Sequence, residues 1–280
     1  MSNLLGLTKI INFKSLVISA LAVVSTWICL RFKITSDFLL TLIATAIVFP
    51  LVFSISTAYN RREKALEEYA NVKANGRTLY LASRYWLGQS DARRDAELKD
   101  ALRELLSACR DMVGNPLSEK HEHEPRVHAV FGRLSEFVQE MRAAGLSSSE
   151  CSPLDQTITR IMVGFENIKH IYEYRTPRTL RAFSDFFILF LPILYGPYFA
   201  YQANEFSREL FYVMPILFAL ILVGLANIQD QLENPFDQIG EDDMAIHPDW
   251  YIATLEARGG DDAESRPAIR LVDQAVTETV

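Results

Sequence analysis

The feature that most constrains this chain is a run of nineteen residues without a charge, LFYVMPILFALILVGLANI, from Leu210 to Ile228. A helix needs about 20 mostly apolar residues to cross the hydrocarbon core of a bilayer. The run therefore predicts a membrane-spanning helix. After the run, the chain continues through Gln231 to a turn signal, Asn234-Pro235. A cluster of acids follows the turn: Asp237, Glu241, Asp242 and Asp243.

The apolar residues of the whole chain are distributed unevenly. The 280 residues are 49% hydrophobic, and these residues collect in four runs separated by a central segment dense in charge. This pattern predicts an all-α membrane protein with four transmembrane helices and a helical cytosolic domain. The net charge of −7, with no dominant basic stripe, argues against nucleic acid as a partner. Three scattered cysteines fit a reducing environment better than a disulfide framework.

The predicted spans differ in their interruptions. Pro50 lies in the middle of the second span and would kink it, which membrane helices tolerate. The third is interrupted by Pro192, Gly196 and Pro197. Ala20-Leu21-Ala22 resembles a signal-peptide cleavage site, but only Leu16–Ser19 would then form the apolar core, which is too short, so we expect a retained first span. The spans are Leu16–Leu30 (with flanks to Phe13 and Phe32), Phe38–Ala58, Ala182–Ala203 and the run from Leu210.

The residue pattern of the central segment predicts helices throughout. Helical spacing continues from the second span to about Leu87, and Ser90-Asp91 is the predicted N-terminal cap of the next helix. A further helix is predicted from Arg126, and another from an N-cap at Ser152. Residues 118–125 are predicted to be a polar loop, whose histidines could ligate a metal, although a solvated loop is favoured. No strand pattern, phosphate-binding loop or catalytic arrangement is found, so we expect no enzyme.

Basic residues near the span ends predict the orientation. They are concentrated after span two and before span three, which places the central segment and both termini in the cytoplasm of a multi-pass cell-membrane protein. These residues are Arg61, Arg62, Lys64, Arg175, Arg178 and Arg181. The predicted organisation is transmembrane helices 1 and 2 over 1–59, a cytosolic helical region over 60–181, transmembrane helices 3 and 4 over 182–229, the acidic junction with a following helix over 230–258, and a flexible cytosolic tail over 259–280.

Span two carries the strongest pattern of a pore. Phe49, Phe53 and Thr57 recur every four residues, and Thr41 and Thr45 extend the stripe outward. If several copies of this helix surround an axis, the phenylalanines form hydrophobic rings, and such a constriction can gate by dewetting. The alternative is that both rings pack against the other spans or lipid.

One carboxylate lies at the start of span three. Asp185 follows Arg181 by one helical turn. An ionisable group in a membrane segment is a functional candidate by default. We expect here either a functional carboxylate or, at least as readily, an interfacial ion pair between Asp185 and Arg181.

The junction after the last span resembles the signature of the bestrophin family of pentameric ion channels. Gln231-Leu232-Glu233-Asn234-Pro235-Phe236 and the acids after Gly240 carry the resemblance. The segment from Phe49 to Thr57 resembles the neck of these channels, although Thr57 replaces a bulky residue there. The order of two spans, a helical cytosolic part, two spans and the Asn-Pro-Phe junction agrees to about Trp250.

The resemblance implies a homopentamer that conducts ions passively through the bilayer. The most common permeant ions in the family are anions such as chloride. A cation-selective bacterial bestrophin-like channel, passing sodium for example, is the alternative. A non-conducting membrane-anchored scaffold that binds a cytosolic partner is a third possibility.

The resemblance also raises calcium as a possible ligand of the junction. A calcium ion takes about 6–8 oxygen ligands, and six residues could supply some of them: Gln231, Asn234, Asp237, Glu241, Asp242 and Asp243. Three inserted residues, 237–239, displace the acids from the family pattern. We therefore favour a structural belt in which Asn234 caps a turn, Pro235 stops the helix and Phe236 packs between spans.

Overall fold

The computed structural model describes residues 12–37, 40–88, 91–115, 120–174, 178–205, 210–233, 235–236 and 244–256. Within these ranges the regular structure is all α-helix, as predicted. The helices in chain order are α1 Phe13–Phe32, α2 Leu40–Tyr85, α3 Ala92–Gly114, α4 Lys120–Ala143, α5 Ser148–Glu173, α6 Arg178–Leu194, α7 Gly196–Glu205, α8 Leu210–Glu233 and α9 Pro248–Glu256.

The chain divides into two compact units. The first unit is Met1–Arg62 with Arg175–Asn234, and the second unit is Glu63–Tyr174 with Pro235–Val280. The long helix α2 contributes residues to both units.

Three helical stretches of the described residues are long and apolar enough to cross a membrane. They are Phe13–Phe32, Arg181–Glu205 and Tyr212–Glu233, and they coincide with predicted spans one, three and four. The second predicted span is not among them, so its passage through the membrane stays a prediction.

The third span is broken at Tyr195, between α6 and α7. Because Pro197 has no N–H, the carbonyl of Ile193 four residues earlier lacks its usual helical donor. The hydroxyl of Ser25 on α1 donates to that carbonyl at 2.7 Å. Gly196 permits this approach, since a Cβ there would collide with Ser25 Oγ. The interruption predicted from proline and glycine is confirmed, and α1 satisfies the freed backbone group.

The core of the first unit joins α1, α2, α6 and α8. Small residues of α8 let these helices approach closely, which is how membrane helices commonly pack. The buried cluster consists of Ile18, Ala22, Leu51, Ile188, Ala219, Val223 and Ala226. The segment of α2 around Leu51 is therefore held among the other apolar helices.

The second unit packs one side of α2 with α3, α4, α5 and α9. The predicted N-cap of α3 is confirmed, because Asp91 Oδ1 accepts the backbone N–H of Arg93 at 2.9 Å. The apolar stripe of α3 is buried as a whole in this core: Leu98, Leu102, Leu105 and Leu106.

Two predicted helix starts in the second unit are wrong. The helix expected from Arg126 begins at Lys120, so most of the expected polar loop is helical. Its first turns are held by Glu124, whose carboxylate accepts from Lys169 Nζ of α5 at 2.5 Å. The helix expected from Ser152 begins at Ser148, because Glu150 accepts the backbone N–H of Ser147 in a capping box.

Candidate functional site

Phe49 and Phe53 lie on the outer face of the first unit. Their side chains are 61% and 56% exposed, and their rings meet edge to face with centroids 4.6 Å apart. Leu51 and Ser54, on the opposite side of α2, are buried. The two phenylalanines therefore do not pack in the core of their own chain.

The threonines of the predicted stripe follow the same face. Thr45 and Thr57 are exposed. The Thr57 hydroxyl donates to the carbonyl of Phe53 at 2.8 Å, which satisfies it within its own helix. The side chain of Thr41 lies outside the described part of the chain. The exposed face of this segment thus combines aromatic rings with hydroxyl-bearing residues.

A guanidinium joins the start of α6 to the end of α8. Arg181 Nη1 donates to Glu233 Oε2 and Nη2 to Asp230 Oδ1, both at 2.6 Å. Glu233 is buried. The expected pair between Arg181 and Asp185 is wrong, because two carboxylates of α8 engage this guanidinium and Asp185 lies 3.6 Å from Lys14 instead. Such charge-assisted bonds are strong, so they fix the last turn of α8 just before the junction.

The junction itself begins where α8 ends, at Glu233. Phe236 is 1% exposed within the core of the second unit, where its ring meets Tyr172 edge to face with centroids 6.4 Å apart. The Tyr172 hydroxyl in turn donates to the carbonyl of Asn115. Phe236 was expected between the spans, and that expectation is wrong because this aromatic pocket among the helices of the second unit holds it.

The predicted calcium ligands are mostly beyond what the structure describes. Gln231 lies half-buried in the last turn of α8. The backbone N–H of Met244 donates to the carbonyl of Pro235 at 2.7 Å. Outside the described residues lie Asn234, Asp237, Glu241, Asp242 and Asp243.

Helix α9, which follows the junction, is anchored on α2. Tyr251 is 3% exposed, and its hydroxyl donates to the carbonyl of Lys73 at 2.8 Å. The Lys73 ammonium lies over the Tyr69 ring, 4.3 Å from its centroid. Burial raises the pKa of the Tyr69 phenol to about 12. Sequence reasoning missed this anchor, although Gly76 within a helix signals a close approach of this kind.

The histidine-rich segment of α4 carries an ion-pair group. Ligand atoms of Glu124, His128 and Glu166 lie within 4.8 Å of one another. The Lys169 ammonium is 2.5 Å from Glu124 and 3.3 Å from Glu166, so one cation is shared by the two carboxylates. The hydrogen bond from Lys169 lowers the pKa of Glu124. The arrangement is that of a helix–helix ion pair between α4 and α5.

Comparison with solved structures shows a bestrophin-like fold. The chain is similar to a bacterial bestrophin homolog from Klebsiella pneumoniae, with a TM-score of 0.64 and 14% identity over 87% of this chain and 95% of that one. A variant of that homolog gives 0.66 and 16% over 89% and 96%. A third structure, described as a membrane protein, gives 0.63 and 15% over 89% and 96%. No protein-family model matches the sequence, and no curated protein matches it.

Proposed function

We propose that this chain is a passive ion channel of the cell membrane, formed by several copies with α2 of each around a central axis. The resemblance implies five copies. The observation that carries the proposal is the exposed stripe of Phe49 and Phe53 on the helix that a bestrophin-like fold would place at the pore. Rings of phenyl groups would then form its neck.

The packing of α2 supports its role as the second membrane span. Leu51 is buried against Ile18 of α1 and against Ala219 and Val223 of α8. Both partner helices are long and apolar enough to cross a membrane. A segment packed between two such helices lies at the same depth in the membrane as they do. In this proposal residues 38–58 therefore cross the bilayer.

The chemistry of the exposed faces distinguishes lipid from a water-filled path. On α1 every exposed residue between Leu16 and Ile28 is apolar, which suits lipid. On α2 the exposed face includes Thr45, Ser56 and Thr57 beside the phenylalanines. Hydroxyls next to aromatic rings suit the wall of a path through which hydrated ions pass.

The permeant ion is proposed from the resemblance. Anions such as chloride are the first candidate, and sodium is the alternative. The junction acts in this proposal as a structural belt in which Phe236 packs in the core of the second unit, and a calcium site is the competing interpretation. Both termini and the second unit are placed in the cytoplasm.

The test is current through purified protein in a planar bilayer under a KCl gradient. We expect discrete single-channel steps, and the sign of the reversal potential assigns the permeant ion. A folded oligomer that carries no current would contradict the channel and favour the membrane-anchored scaffold. Reporters placed near Ser148 and after Val280 test the orientation, and a non-cytoplasmic signal from either refutes it.

A further inference from the structure

A histidine and two carboxylates converge between α4 and α5 within the second unit. Glu124 and His128 are about one helical turn apart on α4, so both side chains lie on one face of that helix. The distance from His128 Nε2 to Glu124 Oε1 is 3.5 Å. Glu166 belongs to α5, and ligand atoms of all three residues lie within 4.8 Å of one another. Two helices thus direct one nitrogen and two oxygen donors to a common point.

The spacing of these donors is close to what a tetrahedral metal ion requires. Zn²⁺ binds histidine nitrogen and carboxylate oxygen at about 2.0–2.2 Å, so its ligand atoms lie about 3.4 Å apart. The distance of 3.5 Å between His128 and Glu124 already agrees with this value. The Glu166 side chain is 46% exposed, so rotation about its bonds can bring a carboxylate oxygen the remaining distance. Three protein ligands leave the fourth position to water.

Lys169 places a cation at the same point. Its Nζ lies 2.5 Å from Glu124 Oε1, the oxygen that faces His128, and 3.3 Å from Glu166 Oε2. The two carboxylates are therefore arranged around a positive charge. A lysine ammonium stands on a flexible four-carbon stem, so it can swing aside and leave these oxygens to a metal ion. The ammonium and the metal would compete for the same two carboxylates.

The mixture of ligands indicates the class of ion. Calcium and magnesium prefer oxygen ligands, whereas imidazole suits zinc and other transition metals. We propose that Glu124, His128 and Glu166 form a site for a divalent transition-metal ion such as Zn²⁺, with Lys169 as the competing cation. The ion links α4 to α5. The site does not depend on the proposed channel, because all four residues lie in the second unit.

Two substitutions are expected to change the affinity for Zn²⁺ in opposite directions. His128→Gln removes the nitrogen donor and should weaken binding by about 10–100-fold or more. Lys169→Met removes the competing ammonium and should tighten binding by about threefold. This is the effect of the screened repulsion between one unit charge and a divalent ion about 7 Å away. An ion pair that binds no metal predicts neither change.

Isothermal titration calorimetry of the purified full-length protein, freed of metal by dialysis against a chelator, measures the binding of Zn²⁺. The wild type is expected to bind one more Zn²⁺ per chain than His128→Gln at micromolar concentration. His123→Gln is the matched control on the same helix, because His123 Nε2 lies 3.2 Å from Asn115 Nδ2 instead. It should bind Zn²⁺ like the wild type. Titration with Ca²⁺ should show no binding that depends on His128.

Several results would overturn the proposal. Equal binding of Zn²⁺ by the wild type and His128→Gln does so, as does a loss in His123→Gln that matches the loss in His128→Gln. Unchanged or weaker binding by Lys169→Met refutes the competition between the two cations. The Tm of each variant without metal checks that it is folded. If Lys169→Met is not, the comparison of His128→Gln with His123→Gln decides alone, since His128 is 52% exposed and its replacement disturbs no core.

Discussion

Gly76 of α2 and Tyr251 of α9 make a close contact. The effect of Gly76→Ala on stability is expected to change sign when Tyr251 is also substituted. A Cβ at Gly76 would lie 2.5 Å from the Tyr251 hydroxyl oxygen. That hydroxyl is also the group that donates to the Lys73 carbonyl. Gly76→Ala therefore cannot be accommodated unless Tyr251 moves and gives up its hydrogen bond.

Gly76→Ala is expected to change the free energy of unfolding with opposite sign in the wild type and in the Tyr251→Phe variant. A glycine-to-alanine change inside a helix stabilises it by about 1 kcal/mol. Overpacking costs about 1–3 kcal/mol, and loss of a buried hydroxyl's hydrogen bond costs about 1 kcal/mol more. Gly76→Ala should therefore destabilise the wild type by about 1–3 kcal/mol. Tyr251→Phe removes the colliding atom, and the next contacts are Leu102 Cδ2 at 3.2 Å and Tyr251 Cζ at 3.5 Å. In that background Gly76→Ala should stabilise by about 0.5–1 kcal/mol.

Thermal unfolding of the purified full-length chain and its three variants, followed by tryptophan fluorescence, measures the effect. Gly76→Ala is expected to lower Tm by about 3–6 °C in the wild type and to raise it by about 1–3 °C in the Tyr251→Phe background. Shifts of the same sign in both backgrounds would refute the docking of α9 on α2 through this contact.

Three further predictions concern charges. Arg181→Met leaves a buried carboxylate on α8 without its cation and should destabilise the protein by about 2 kcal/mol, less than for a fully buried pair because the arginine is partly exposed; an unchanged Tm would contradict this. Because the folded-state pKa of Glu124 is lowered, its pair with Lys169 should stabilise at neutral pH and lose that effect as pH falls below about 4.5; Tm measured against pH should show this loss, and Lys169→Met should remove it. Neutralising Asp242 and Asp243 together should leave folding and opening nearly unchanged, whereas calorimetry showing saturable micromolar calcium binding that this variant lacks would restore a calcium-gated channel.

The apolar runs and helix caps could be predicted because they depend on neighbouring residues. The uncharged run from Leu210 and the cap at Asp91 were read correctly from composition and spacing. The observed helices begin before the expected starts at Arg126 and Ser152, and Pro125 and Pro153 lie inside them. The first turns of α4 are held by an ion pair to α5 that no local pattern shows, whereas the capping box of Ser147 and Glu150 is a local signal for the start of α5.

Only the spacing of the candidate site residues could be predicted from the sequence. The four-residue spacing of Phe49 and Phe53 identified the stripe, but exposure depends on which side of α2 the neighbouring helices cover. The partner of Arg181 and the pocket of Phe236 depend on residues about 50 or more positions away in the chain. No local signal distinguishes Asp230 and Glu233 from the nearer Asp185 as partners of that arginine.

The most direct test of the channel is the single-channel conductance of the Phe49→Ala/Phe53→Ala variant beside the wild type. Leu16→Ala/Val24→Ala is the matched control, since these α1 side chains are 61% and 51% exposed on the face assigned to lipid. Removing both rings should widen and wet the constriction, so conductance should rise in the first variant and stay at the wild-type value in the control. A folded Phe49→Ala/Phe53→Ala oligomer whose current equals the wild type in size and selectivity would show that these residues do not line the narrowest point of the path.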